Sequence, residues 1–291
     1  MTSDAAAERG AALPPRPEIE PRVRSRGVNG LVARSTTHLG LSFLLLALMP
    51  LQVDDFTRSY GGIVRGRLDE PVLALVFTGD EFGDGTSHIR EVLRRQGIEG
   101  SFFFTGRFYR NPDFAADIRA LAADGHYLGA HSDQHLLYCS WEKRDSLLVT
   151  RDEFVKDILD NYKEMARFGV ERDDAPFFMP AYEWYNDQIS AWTDELGLTL
   201  VNYSPGTRSH ADYTTPDLEH YVSSNAILET ITSYEAHDPH GLNGFILLSH
   251  VGTASERTDK FYLRLDELIE VLRRRGYRFQ RIDELLSRSG S

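Results

Sequence analysis

The sequence is nearly devoid of cysteine, because Cys139 is the one thiol in 291 residues. A lone cysteine excludes an intramolecular disulfide and any zinc site built from several cysteines. Positive charge is also scarce: 32 Lys and Arg stand against 44 Asp and Glu, which leaves a net charge of −12. This balance argues against binding to the backbone of a nucleic acid and is compatible with a neutral substrate such as a sugar.

Long apolar runs are missing as well. The run at 39–49 is too short to span a bilayer comfortably, but it has the length of the apolar region of an export signal. Four arginines lie in the stretch just before it: Arg22, Arg24, Arg26 and Arg34. We expect residues 1–56 to form a disordered N-terminal region that carries such a signal at 39–51. The mature protein would then be exported, to the periplasm, cell envelope or exterior, without a membrane span. A buried or amphipathic N-terminal helix is the alternative.

The sequence also lacks the fingerprint of a dinucleotide-binding fold, because no G-x-G-x-x-G follows its first apolar run. It has instead, from about residue 61 onward, short apolar runs that alternate with segments of helical period. The runs predict buried strands at 72–77, 101–105, 127–130, 177–179, 198–203, 245–248 and 277–279. Such alternation predicts parallel strands joined by crossover helices, in a barrel or an open sheet. We therefore expect one α/β domain at 57–291.

Polar residues follow four of these predicted strands. The carboxyl ends of parallel strands meet on one rim, which is where functional groups collect in such folds. The residues on that expected rim include Asp80, Glu81, Asp84, His131, His135, Tyr182, Glu183 and His250. Carboxylates and imidazoles in one place can bind a divalent metal ion and supply a general base and a general acid.

Three histidines carry most of this chemistry. His131 and His135 have the spacing of one helical turn, so both imidazoles can face one metal ion. Two surface or capping histidines would give the same pattern, since the chain holds ten histidines. His250 ends a buried apolar run and can act as a general acid, because a free imidazole titrates near pH 6.5. A core histidine is the alternative there.

Taken together, five landmarks in this order resemble the polysaccharide deacetylase family, also called the NodB-homology or carbohydrate esterase family 4 domain. They are the strand at 74–77 with acids after it, the run at 100–106, the H-S-x-x-H motif at 131–135, the tripeptide at 180–182, and the run at 244–250. The resemblance covers residues from about 60 to 287. It implies a distorted (β/α)7 barrel and the hydrolysis of N- or O-linked acetyl groups on a carbohydrate.

The sequence departs from the family pattern at two places. The family has two aspartates directly after the first strand, whereas here two other residues precede Asp80 and Glu81. One of these acids is expected to be the base and the other the metal ligand, and the sequence leaves the order open. Asp84 is a third candidate that looks more like a turn residue. Met179 stands where the family usually has an arginine that steadies the base.

The resemblance implies a divalent metal ion, Zn²⁺ before Co²⁺ or Ni²⁺, on His131, His135 and Asp80, or on Glu81 in place of Asp80. The backbone N–H of Tyr182 would stabilise the oxyanion of the reaction.

His250 would protonate the leaving group of the reaction. Three residues of the loop after 200 are candidates to orient it: Asn202, Arg208 and Asp212. Aromatic residues near the expected rim are candidates to stack on a sugar, with core packing as the alternative for each: Trp184, Tyr185 and Tyr203.

Two other functions compete with a deacetylase. One is a carbohydrate-binding relative with little or no turnover, and the other is a metal-dependent amidohydrolase that acts on a small molecule. The sequence predicts no nucleic-acid partner, and it does not predict the oligomeric state.

Overall fold

A computed structural model describes residues 56–287. The predictions for residues 1–55, including the export signal, lie outside the described residues. Nine strands occur within 56–287: β1 (Thr57–Ser59), β2 (Gly62–Arg65), β3 (Val72–Gly79), β4 (Ser101–Phe104), β5 (Tyr127–Ala130), β6 (Phe177–Phe178), β7 (Thr199–Leu200), β8 (Phe245–His250) and β9 (Arg278–Phe279).

Eight α-helices accompany these strands in the same part of the chain: α1 (Thr86–Gln96), α2 (Gly106–Arg110), α3 (Ala115–Ala123), α4 (Arg151–Ala166), α5 (Asp187–Glu195), α6 (Ser224–His237), α7 (Leu265–Arg274) and α8 (Ile282–Leu285). Short 3₁₀ turns lie at Pro112–Phe114, Arg172–Asp174, Ala181–Glu183, Ser209–Tyr213 and Phe261–Arg264. Over the described range, none of these helices combines the length and the apolar character that crossing a membrane requires.

The strands form one curled, mixed sheet. Strands β8, β3, β4, β5, β6 and β7 lie side by side in parallel, while the β1–β2 hairpin joins β8 in the antiparallel direction. A bridge between Ile63 of β2 and Val201, just after β7, connects the two margins. There the amide of Asn202 donates to the carbonyl of Ile63 over 2.8 Å. The sheet therefore closes on itself, and the predicted distorted barrel is confirmed.

The strands are continuous apolar runs because helices cover the sheet and bury its residues. All eight residues of β3 are buried, as expected for a parallel strand with both faces covered. The α1 helix buries Ile89, Val92 and Leu93 on the face predicted from their spacing. The sequence did not predict the β1–β2 hairpin, whose strands are three and four residues long and carry no apolar alternation.

Two long connections cross the carboxyl ends of the strands. Residues 131–150 link β5 to α4, and residues 201–223 link β7 to α6. Neither contains an α-helix, so their side chains are positioned by turns and by hydrogen bonds to the barrel. These two segments form much of the wall around the rim.

Candidate active site

The candidate site lies where β3, β5, β6 and β8 end. His131 directly follows β5 and is 1% exposed. Its amide donates to Oδ1 of Asn161 over 2.8 Å, and its Nδ1 lies 2.9 Å from the carbonyl oxygen of Met179. A carbonyl only accepts, so Nδ1 carries the proton and Nε2 keeps its lone pair. Burial lowers the pKa of His131, which favours the neutral ring. A neutral imidazole held through its other nitrogen is typical of a metal ligand.

His135 reaches the same place by a different route from the one predicted. The segment 131–135 is not helical, because Ser132 and His135 have φ angles of 76° and 56° in the left-handed region. The turn nevertheless brings the rings of His131 and His135 to a centroid distance of 5.3 Å. The ring of His135 also contacts the ring of Tyr182, with centroids 4.3 Å apart. The pairing was predicted correctly, and the helical geometry behind it was wrong.

Asp80 is the acid that follows β3 into the site. Its Oδ2 lies 3.7 Å from Nδ1 of His135. Its Oδ1 accepts from the Thr105 hydroxyl over 2.8 Å and from Nε of Arg107 over 3.1 Å. A second nitrogen of Arg107 donates to Oδ2, so the guanidinium binds both carboxylate oxygens of Asp80. Arg107 was not foreseen as a site residue, because it belongs to a different strand–helix unit.

Glu183 is a second carboxylate of the site, an acid on the predicted rim to which the sequence assigned no role. Its side chain is 2% exposed, and its Oε1 lies 3.8 Å from Nε2 of His131. The backbone at Tyr182 and Glu183 has φ angles of 60° and 52°, which turns the glutamate inward. Asn202 fixes this turn by donating its amide N–H to the carbonyl of Glu183 over 2.7 Å. The available signal was an acid directly after the landmark at 180–182.

The structure does not bring the other two acids to the histidine pair. Glu81 is exposed on the loop that follows β3. Asp84 accepts from the amide of Thr253 over 3.0 Å and from the hydroxyl of Tyr262 over 2.8 Å. Asp84 thus anchors one loop to another, in agreement with its reading as a turn residue.

The donor atoms suit a divalent ion, although they do not converge fully. No three His, Cys, Asp or Glu side chains of residues 56–287 form a ready metal-binding group. The pairs His131–Glu183 and His135–Asp80 lie at 3.8 and 3.7 Å, which is too long for a hydrogen bond. Two donors on one tetrahedral zinc ion are about 3.4 Å apart, given bonds of about 2.1 Å. Small side-chain movements would therefore let each pair share an ion.

His250 and Asp212 form a second functional pair on the rim. The His250 Nδ1 lies 2.6 Å from Oδ1 of Asp212, and the His250 amide donates to Oδ2 over 2.9 Å. A carboxylate that is 2% exposed therefore fixes the ring and leaves Nε2 for a substrate. Among the three candidates to orient His250, the structure selects Asp212. The pair lies near the other site residues, since the charge of His250 adds to the lowering of the His131 pKa, whose largest cause is burial.

The aromatic candidates need correction. Tyr185 is fully buried and donates its hydroxyl to the carbonyl of Ser59, so it belongs to the core. Trp184 and Tyr203 are each only 5% exposed, which leaves little ring surface for a sugar. Trp141, in the segment 131–150, is half-buried, and its ring lies 5.9 Å from that of Tyr182 and 5.1 Å from that of Trp184. The sequence gave no periodic signal for it, because it lies in an irregular loop.

Comparisons with known proteins agree with this fold. Residues 65–201 match the profile of the polysaccharide deacetylase family. A peptidoglycan-N-acetylglucosamine deacetylase of Bacillus cereus is 26% identical over 219 residues, which cover 75% of this chain and 89% of that protein. The peptidoglycan-N-acetylmuramic acid deacetylase PdaA of Bacillus subtilis is 24% identical over 237 residues, 81% and 79% of the two chains.

Solved structures share the fold at low sequence identity. A peptidoglycan N-acetylglucosamine deacetylase superposes with a TM-score of 0.61 at 19% identity, over 78% of this chain and 93% of that one. A carbohydrate esterase family 4 pseudoenzyme of Bacillus anthracis gives 0.60 at 17% identity, over 79% and 70%. The fold is that of the NodB-homology domains. The profile, the two relatives and the structural neighbours together support the assignment of this chain to the polysaccharide deacetylase family.

Proposed function

We propose that this protein removes acetyl groups from an N-acetylated glycan of the cell wall, with a divalent metal ion held at the histidine pair. One observation carries the proposal: His131 is buried, locked through Nδ1, and aims Nε2 at the buried carboxylate of Glu183. The family match and the named activities of the two Bacillus relatives support the substrate class. Action on a cell-wall glycan also agrees with the export predicted from residues 39–51.

The ion would be held by His131, His135 and a carboxylate of the site, and Zn²⁺ suits this mixture of nitrogen and oxygen donors. When bound, such an ion supplies Lewis acidity toward the acetyl carbonyl and lowers the pKa of water. The protein supplies the remaining groups. A carboxylate takes a proton from the attacking water, whose oxygen forms a bond to the acetyl carbon.

The second half of the reaction, in which the leaving group departs, uses the pair of His250 and Asp212. As the carbon–nitrogen bond breaks, His250 donates the proton from Nε2 to the departing sugar nitrogen, and Asp212 keeps the ring in position. The products are acetate and a free amine on the sugar. The N–H of Tyr182 is proposed to donate to the oxyanion that forms on the acetyl oxygen.

The direct test is acetate release from N-acetylglucosamine oligomers and from purified peptidoglycan, after loading with Zn²⁺, Co²⁺ or Ni²⁺ in turn. We expect release that chelation abolishes and that metal restores. His131→Gln and His250→Gln should both abolish release, but only the first should also abolish metal binding. Metal-independent release, or ammonia in place of acetate, would refute the proposal.

A glycan-binding protein without turnover is the second candidate. It is favoured by one observation, the grip of Arg107 on both oxygens of Asp80, which occupies the acid nearest His135. One structural neighbour, from Bacillus anthracis, is a pseudoenzyme of carbohydrate esterase family 4. This candidate predicts saturable binding of the oligomers by calorimetry and no acetate at any metal loading.

A further inference from the structure

We propose that Glu183 is the carboxylate that binds the metal ion in this site, and that Asp80, positioned by Arg107, takes the proton from the attacking water. This inference rests on the proposed function and deepens it. It assigns different roles to two acids that lie on different strands, whereas the sequence pattern looks for both acids after β3.

The position of Glu183 suits a ligand. It is 2% exposed, and its Oε1 lies 3.8 Å from Nε2 of His131, the nitrogen that keeps its lone pair. Hydrogen bonds hold both residues in this orientation. The Met179 carbonyl fixes the His131 imidazole, and the Asn202 side chain fixes the backbone carbonyl of Glu183. Tyr182 and Glu183 are consecutive non-glycine residues with positive φ, and such backbone strain concentrates at functional sites.

The position of Asp80 suits a proton acceptor better than a ligand. Its Oδ1 accepts two hydrogen bonds, and the Arg107 guanidinium binds both oxygens. A divalent ion on the same carboxylate would stand close to that guanidinium, and like charges at such a distance repel. Oδ2 also faces His135, with 3.7 Å to its Nδ1, which is the side where water would be activated.

Strand pairing explains why Arg107 reaches Asp80. Gly79 at the end of β3 lies opposite Phe104 at the end of β4, and the Thr105 amide donates to the Gly79 carbonyl over 3.1 Å. Thr105 also caps α2 by accepting from the amide of Phe108. The pairing of β3 with β4 and the start of α2 therefore place Thr105 and Arg107 beside Asp80.

Packing also excludes an acid one residue earlier. A Cβ at Gly79 would lie 2.7 Å from a methyl of Val251 and 2.9 Å from the ring of Phe104. An aspartate cannot occupy that position without displacing the core. The first acid after β3 is therefore Asp80, whose two oxygens are already bound by Arg107.

The experiment separates metal binding from turnover. Zinc affinity is measured by competition with a chromophoric chelator, and acetate release from an N-acetylglucosamine oligomer is measured on the same zinc-loaded samples. Glu183→Gln should weaken zinc binding by at least about 100-fold, as loss of a direct ligand exceeds the 10- to 100-fold typical of outer partners. Asp80→Asn should keep zinc affinity within about three-fold and lower acetate release by about 100-fold or more.

Arg107 is tested as a positioning residue. Arg107→Met should lower kcat about ten-fold with unchanged zinc affinity, and Arg107→Lys should recover part of kcat, since it restores the charge without the planar fork. Glu91→Gln, which alters an exposed acid on α1, is the matched control and should leave both readouts unchanged.

The outcomes are distinct. The inference is overturned if Asp80→Asn or Glu81→Gln loses zinc while Glu183→Gln retains it, in a wild type that binds zinc and releases acetate. A wild type that neither binds zinc nor releases acetate overturns the proposed function as well. If Glu183→Gln does not fold, Glu183→Asp carries the test: it keeps the charge, and the shorter reach should weaken zinc affinity and alter the absorption spectrum of the Co²⁺ form.

Discussion

Arg144 holds the loop 131–150, one wall of the site, against the rest of the barrel. Removing its side chain should destabilise the whole domain. The guanidinium lies between two rings, 3.7 Å from the centre of Tyr60 and 3.9 Å from that of Trp184. Its Nε donates to the carbonyl of Tyr185 over 2.6 Å. The side chain thus joins the loop to the β1–β2 turn and to the segment after β6.

The size of the effect follows from these contacts. A hydrogen bond from a charged donor contributes about 1.5–3 kcal/mol, and each partly desolvated cation–π contact contributes about 0.5–2 kcal/mol. Two costs offset this gain. Burial lowers the pKa of Arg144, which reflects the loss of hydration, and its Nη2 has no hydrogen-bond partner within residues 56–287. We expect Arg144→Met to reduce the free energy of unfolding by about 2 kcal/mol, because Met keeps most of the packing.

For a domain of this size, about 2 kcal/mol corresponds to a fall in Tm of roughly 4–8 °C. The measurements are calorimetric Tm and urea unfolding, with an unchanged m-value as the sign that stability alone has changed. Lys143→Met, which removes the exposed neighbouring cation, should change the free energy of unfolding by less than about 0.5 kcal/mol. A Tm for Arg144→Met within about 1 °C of the wild type would refute the assignment of stability to this contact.

Three further predictions concern catalysis, substrate and pH. Asp212→Asn should lower kcat for acetate release by about 10²- to 10³-fold with little change in KM, since it releases the ring of His250. Trp141→Ala should raise KM for long oligomers by about five- to ten-fold, because it removes the half-buried ring beside the site. Burial lowers the pKa of His126 to about 4, so the unfolded chain takes up a proton below about pH 6.5 that the folded protein refuses. Stability should therefore fall between pH 6.5 and 4, and His126→Asn, which keeps an acceptor for the amide of Gly100, should flatten that fall in urea unfolding.

Each of these predictions has a result that would contradict it. An unchanged kcat for Asp212→Asn would remove His250 from the reaction. An equal rise in KM for a single sugar and a long oligomer would show that Trp141 does not contact the extended glycan. An unchanged slope of stability against pH in His126→Asn would assign the acid sensitivity to other groups.

The strands of this fold were predictable because a parallel strand with both faces covered must be apolar throughout. Val72–Gly79 and Phe245–His250 are such strands, and their positions fixed the rim before any contact was known. The rim in turn placed His131 and His250 together. The strand positions and the shared rim follow from local sequence and from the rule that parallel strands end on one rim. Predicting them required no knowledge of loop geometry.

The acids could not be assigned in the same way. Glu183 enters the site through a backbone turn with positive φ at a tyrosine and a glutamate, and neither residue type favours that conformation. Arg107 reaches Asp80 through the pairing of β3 with β4, which joins residues 27 positions apart. Both arrangements are produced by tertiary packing, and no short pattern encodes them. The burial of Tyr185 was hidden for the same reason, because its partner Ser59 lies in a hairpin the sequence did not predict.

The two departures from the family pattern, the later position of the acid after β3 and Met179 in place of an arginine, can be explained together. Gly79 packs too tightly against Val251 and Phe104 to be replaced by an acid, so the acid moves one position outward to Asp80. An acid at that position faces the start of α2, where Arg107 supplies the guanidinium. An arginine at the buried position of Met179 would then have lost its carboxylate, and an unpaired buried guanidinium is strongly unfavourable. Met179 instead contributes its carbonyl oxygen, which locks His131 toward Glu183.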